Sequence, residues 1–190
     1  MVRFATQGTR VFQHISPDFG GELSSAIAEV VDGMYRVGPA EGMSQIMLPT
    51  SIPTMNDGII DVSVSLEGNG AADVSIRTRK DPQGTFSGYV CWISEPAEAG
   101  CSANTKDSFT LLFSAPANSV AIQDSNQMRV TMIGDTLQFE VNGAVVAQLS
   151  DSGFVAGNWG LYAESSAEGT ATATFDDVVV YRATSAYELP

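Results

Sequence analysis

The stretch that decides the fold is residues 126–181, NQMRVTMIGDTLQFEVNGAVVAQLSDSGFVAGNWGLYAESSAEGTATATFDDVVVY. Within it Leu137, Phe139 and Val141 alternate with Gln138, Glu140 and Asn142, the two-residue period of a strand buried on one face. Asn142-Gly143 supplies two residues that tolerate positive φ, as a type I′ turn requires, so 144–149 is expected to return antiparallel. Gly134-Asp135 joins 128–133 to 136–141 in the same way. Residues 157–164 and 170–181 read as two closing strands.

Working outward, Ile60, Val62, Val64 and Leu66 alternate with Asp61, Ser63 and Ser65, a second strand with one buried face. Gly68-Asn69-Gly70 turns it into 72–80, where Val74, Ile76 and Thr78 face one way and Ser75, Arg77 and Arg79 the other. Residues 88–94, 107–115 and 119–123 continue the meander. Earlier, 11–15, 24–31, 33–37 and 44–48 are short strand candidates, with Asp32-Gly33 as a hairpin turn. Residues 24–31 also suit a helical turn, because Ala26, Ala28 and Glu29 tolerate helix. Pro49, Pro53 and Asn56-Asp57-Gly58 mark a loop. About thirteen short strands without a helix predict an all-β chain folded as a two-sheet antiparallel sandwich of the jelly-roll kind. The expected domain is 1–182, with 183–190 as a C-terminal tail.

The chain has 190 residues and a net charge of −13, from 22 acidic and 9 basic side chains. Nucleic acid is excluded as a partner, because contacts to phosphates require clustered Lys and Arg. No apolar run approaches a membrane span, so direct membrane insertion is not expected. Met1-Val2-Arg3 leads into a polar segment, so no signal segment is expected within these residues. Cys91 and Cys101 are the only cysteines, and the segment between them can fold back as a hairpin. Two isolated buried thiols are the alternative; the acidic, Ser/Thr/Gly-rich composition favours a disulfide and an extracellular or cell-surface location.

The residues Val141-Asn142-Gly143, Asp151, Phe154, Gly157, Gly160-Leu161 and Phe175-Asp176-Asp177-Val178 form a spaced pattern over the C-terminal third. Asp32-Gly33-Met34-Tyr35-Arg36-Val37 extends it upstream. Together they resemble the concanavalin A-like lectin and glucanase superfamily, and within it the laminin G-like jelly-roll domains of bacterial surface and signalling proteins. The resemblance implies the sandwich, and it implies a structural calcium ion at Asp177, with Asp18 or the backbone near His14 as further ligands.

Glucanases of that superfamily carry a strand of the form Glu-x-Asp-x-x-Glu, whose alternation aims three carboxylates at one face. The best acidic strand here, DVSVSLE from Asp61 to Glu67, has serines where the further carboxylates belong. His14 has no Ser or Cys partner at a recognisable spacing, and no phosphate-binding glycine loop occurs. No enzymatic activity is expected.

Sugar recognition combines flat aromatic faces with planar polar groups. The candidates are Trp92 with Tyr89, Trp159 with Tyr162, and the pair Arg77 and Arg79, which would form a polar floor for a glycan carboxylate or an acidic partner. Each tryptophan has a core alternative: Trp159 if it faces with Leu161 and Ala163, Trp92 if it shares its side with Val90. The expected function is non-catalytic recognition of a glycan or a cell-surface protein. The alternatives are a self-associating structural or adhesion subunit, and a glycoside hydrolase built from distant loops.

Overall fold

A computed structural model describes residues 2–9, 27–39, 41–42, 44–47, 54–82, 85–95, 97–116 and 118–188. The strands are β1 (Val2–Thr9), β2 (Ile27–Val31), β3 (Met34–Gly38), β4 (Ser44–Met47), β5 (Gly58–Gly68), β6 (Gly70–Lys80) and β7 (Phe86–Ser94). They continue as β8 (Glu98–Asn104), β9 (Phe109–Ser114), β10 (Asn126–Ile133), β11 (Thr136–Val141), β12 (Ala144–Ser150), β13 (Asn158–Ser165) and β14 (Ala171–Glu188). No helix occurs among the described residues. All pairings are antiparallel and form two sheets. One is eight-stranded, ordered β12-β11-β10-β5-β14-β3-β2 with β1 added along β14; the other is six-stranded, ordered β4-β13-β6-β7-β8-β9.

The core lies between the sheets and is built by period-two alternation. Ile60, Val62 and Val64 of β5, with Met128, Val130 and Met132 of β10, face Val74 and Ile76 of β6 and Leu161 of β13. Two of the turns are those the sequence predicts. Asn142 (φ 52°) and Gly143 (φ 78°) are both left-handed, as are Asp32 and Gly33. At Gly134-Asp135 only Gly134 has positive φ, the backbone pattern of a type II′ turn. Cys91 and Cys101 face each other directly in the β7–β8 hairpin and are disulfide-bonded within the core.

Several expectations change. Residues 98–104 form a full strand completing the cysteine hairpin, whereas 119–123 form a turn-rich loop in which Val120 alone is buried. Val2–Thr9 is a strand, and it pairs with a β14 that runs on to Glu188 where a tail was expected from 183. Interior apolar side chains alone do not announce such peripheral pairings. The strand expected at 11–15 lies outside the described residues, as do His14 and Asp18.

Two bulges redirect polar side chains. In β14 the register shifts between Asp176 and Val179, with Asp177 at φ 48° and its N–H bonded to Asp176 Oδ1 at 2.7 Å. The extra residue leaves both aspartates exposed and returns Val178 and Val180 to the core. In β6 the register shifts between Ile76 and Arg79, with Arg77 at φ 53°.

Candidate functional site: the outer face of the six-stranded sheet

On β7, Tyr89, Cys91 and Ile93 point into the core, so Val90, Trp92 and Ser94 point outward. Trp92 does share its side with Val90, but that side is the outer one. On β13, Trp159, Leu161 and Ala163 are buried, which turns Tyr162 and Glu164 outward. On β6, Ala72, Val74 and Ile76 are inward, and Asp73 and Ser75 are outward. Strand register then sets these residues side by side: Tyr162 opposes Asp73, Asp73 opposes Trp92, and Trp92 opposes Gly100. In the next row Gly160, Ser75, Val90 and Ser102 are neighbours.

These rows line a groove of about 850 Å³ across the sheet. Its aromatic members are Tyr162, Trp92, Phe86 and Phe109, and its charged members are Asp73, Glu164, Lys106 and Asp107. Gly100 is required here: a Cβ at that position would collide with the benzene ring of Trp92, so the missing side chain lets the indole lie over the strand.

The polar chemistry of the groove is unusual for a protein surface. Asp73 is 2% exposed and its Oδ2 has no hydrogen-bond partner. Thr78 Oγ1, Ser102 Oγ and Asn104 Oδ1 are also buried without a partner, and all three residues line the same groove. Buried polar atoms are nearly always paired, because leaving one bare costs about 1–3 kcal/mol. Ser75 is the satisfied exception, its hydroxyl donating to the Gly160 carbonyl at 3.3 Å. Burial, with the charge of Glu164 adding to it, raises the pKa of Asp73 well above the ordinary carboxylate value.

Four expected ligand contacts are relocated. Trp159 and Tyr89 are both fully buried and belong to the core. The Tyr89 hydroxyl donates to Asp151 Oδ1 and accepts from the Phe154 N–H at 3.1 Å, while Phe154 packs edge-on against its ring at 5.1 Å. Burial and the bond to Asp151 push its pKa up to about 12. Arg77 and Arg79 do not share the floor with Ser75. The bulge swings Arg77 out of the groove face to a site 3% exposed, where it donates to Asn56 O (2.6 Å), Phe154 O (2.7 Å), Gly134 O (2.8 Å) and Asp57 Oδ1 (3.1 Å). Arg79 donates to Ala156 O at 2.9 Å. Arg77 and Tyr89 thus pin the 151–157 loop, which gives the spaced residues Asp151, Phe154 and Gly157 a structural role. Gly157 is needed because a side chain there would strike the Arg77 backbone. Of the expected contacts, Trp92 and Tyr162 do lie in the groove.

Asp73, Ser102, Asn104 and Glu164 were not anticipated. A lone Asp on the polar side of β6 looks solvated in sequence. Only the pairing of β13 and β7 on either side buries it.

Compared by sequence, the chain matches no family model and no curated protein. Solved structures do resemble it. One is the exoplasmic/lumenal domain of VIP36 in its Ca²⁺/Man3GlcNAc-bound form, with a TM-score of 0.70 and 12% identity over 97% of this chain and 93% of that one. Another is carbohydrate-binding module CBM66 of Bacillus subtilis, with a TM-score of 0.64 and 17% identity over 80% and 88%. A Bacillus subtilis protein of unknown function with a galectin-like fold gives 0.61 and 12% over 83% and 86%. The chain shares a concanavalin-like two-sheet β-sandwich fold with these structures.

Within this fold the calcium expectation finds no cradle among the described residues. Among the described residues no three His, Cys, Asp or Glu side chains converge to hold a metal. Asp177 shares a surface hollow with Asp61, Glu140 and Arg129, but both carboxylate oxygens of Asp61 are taken by Arg129, at 2.6 and 2.8 Å. Asp61 is thus engaged by Arg129 and is not free to join Asp177 as a ligand. Asp18, the second ligand expected, lies outside the described residues.

Proposed function

We propose that the protein is a non-catalytic glycan-binding module acting outside the cytoplasm, with its ligand lying across the groove of the six-stranded sheet. One observation carries the reading: four buried, unpartnered polar side-chain atoms line a single groove that also holds Trp92 and Tyr162. A pyranose offers hydroxyls for those atoms and apolar C–H faces for the rings. The likeness to a carbohydrate-binding module and to an exoplasmic/lumenal domain in a Man3GlcNAc-bound form supports it, and the disulfide suits an oxidising compartment. The finer likeness to laminin G-like domains rests on the sequence pattern alone. A glycan array followed by calorimetric titration tests the proposal. Binding should appear for at least one oligosaccharide and weaken in Trp92→Ala; an array without hits, or binding indifferent to Trp92, would refute it.

One observation favours a second reading, glycoside hydrolysis. Asp73 and Glu164 are two carboxyl groups in one groove, close enough that the charge of Glu164 raises the pKa of Asp73. They sit on different strands, β6 and β13, so a single-strand carboxylate motif does not reveal them. Release of reducing ends from a bound oligosaccharide, lost in Glu164→Gln, would establish hydrolysis in place of simple binding.

A further inference from the structure

The groove is polarised along its length. At one end Glu164 and Ser94 both flank Ala71 in register, one row from Asp73, Trp92 and Tyr162. The other end is marked by Gly88 paired with Asn104, followed by the loop bearing Lys106 and Asp107. Gly88 and Trp92 are separated along β7 by roughly 13 Å at strand rise. The described residues lining the Asp73 end include no basic side chain. Facing Asp73, β13 contributes Glu164 and Tyr162, and β7 contributes only Val90, Trp92 and Ser94. The two nearby arginines point elsewhere, Arg77 to its four partners and Arg79 to the Ala156 carbonyl.

Two carboxyl groups therefore share one end of the groove, one of them buried with a bare oxygen, and no basic side chain of the described residues lines that end. Resting on the glycan reading of this groove, we infer that its acidic end receives the free ammonium group of an amino sugar, held between Asp73 and Glu164 beside the indole of Trp92. A neutral hydroxyl satisfies the bare Oδ2 but leaves the two carboxyl groups repelling each other. An ammonium does both, since it donates three hydrogen bonds and carries the opposing charge. A uronate or sulfated residue adds a third negative group to the same end. The raised pKa of Asp73 is consistent with this, since burial and the Glu164 charge both disfavour its carboxylate form and a neighbouring ammonium would favour it.

Titrating the full chain with three oligosaccharides tests the inference: a β-1,4-linked glucosamine tetramer, its fully N-acetylated counterpart, and a uronic acid tetramer. The glucosamine tetramer should bind about tenfold more tightly than the acetylated one, with the uronate weakest. Asp73→Asn and Glu164→Gln should each erase most of that preference, while a melting curve confirms that both variants fold. Equal or tighter binding of the acetylated tetramer, or a preference that survives both substitutions, overturns the amine assignment. If neutral oligosaccharides bind through Trp92 with no advantage for the amine, the glycan reading stands and this inference alone falls. If no sugar binds at all, both fall together.

Discussion

The two sheets of this sandwich turn opposite kinds of polar surface to their outer sides. On the eight-stranded sheet the polar groups answer one another. Asp61 is held by both ends of the Arg129 guanidinium, the Ser63 hydroxyl donates to Gln127 Oε1 at 3.0 Å, and Gln138 donates to Glu140 at 2.8 Å. On the six-stranded sheet Asp73, Thr78, Ser102 and Asn104 present atoms with no partner. Among the described residues, the outward polar groups named on the first face pair with one another, whereas those named on the second have no protein partner. That difference, more than the presence of aromatic side chains on the second face, separates a solvated surface from a binding surface.

Four experiments bear on the contrast. The largest effect should come from removing the disulfide beneath the groove with Cys91→Ser and Cys101→Ser. So short a loop is worth about 3 kcal/mol, or roughly 10 °C in Tm. Hydrogen exchange should quicken first in β7 and β8; equal loosening of β5 and β10 would mean that the groove sheet is not specially stapled. Next, Trp92→Ala should cost about 2 kcal/mol of binding, some thirtyfold in Kd, with little change in Tm. The mirror experiment is Arg129→Ala on the other face. It should lower stability by about 1.5 kcal/mol, because Asp61 is left mostly buried and unpaired, and leave glycan affinity untouched. A loss of affinity in that variant would place ligand on the wrong sheet.

The smallest effect concerns Asp73→Asn, and its sign is opposite. The folded pKa of Asp73 is raised, so the neutral form stabilises the fold fully below the ordinary carboxylate value, and this stability is lost as pH rises through the raised value. The asparagine variant escapes that loss. It should melt at roughly 2–4 °C higher than the parent on the alkaline side, about 1 kcal/mol, while binding more weakly. Melting curves over about pH 5 to 9 would show the two proteins diverging as pH rises. A variant less stable than the parent at every pH would mean that Asp73 is a structural residue with partners of its own.

Much of the fold was legible from local pattern. Ile60 to Leu66 and Leu137 to Val141 alternate plainly, and Asn142-Gly143 and Asp32-Gly33 specify their turns, because strand periodicity and positive φ are properties of a few consecutive residues. The disulfide was legible in the short Cys91–Cys101 spacing and the composition, whereas the strand Glu98–Asn104 that completes its hairpin was not. Nor were the bulges. Nothing local in VSIRTRK says that Arg77 takes a left-handed φ and leaves the face of Ser75, since the gain comes from carbonyls of Asn56, Gly134 and Phe154, far away in sequence.

The amino-acid sequence by itself determined that this chain is an antiparallel sandwich, which alternate side chains of its clearest strands are buried, and that no single strand carries a row of carboxylates. Tertiary structure alone decided which outer face carries the groove proposed to bind ligand. Asp73, Trp92 and Tyr162 lie on three strands and become neighbours only through inter-strand register, and the burial that leaves Asp73 Oδ2 bare and raises its pKa is a property of the assembled sheet. Periodicity tells a residue which side of its strand it is on; only packing tells it who stands beside it and how much water remains.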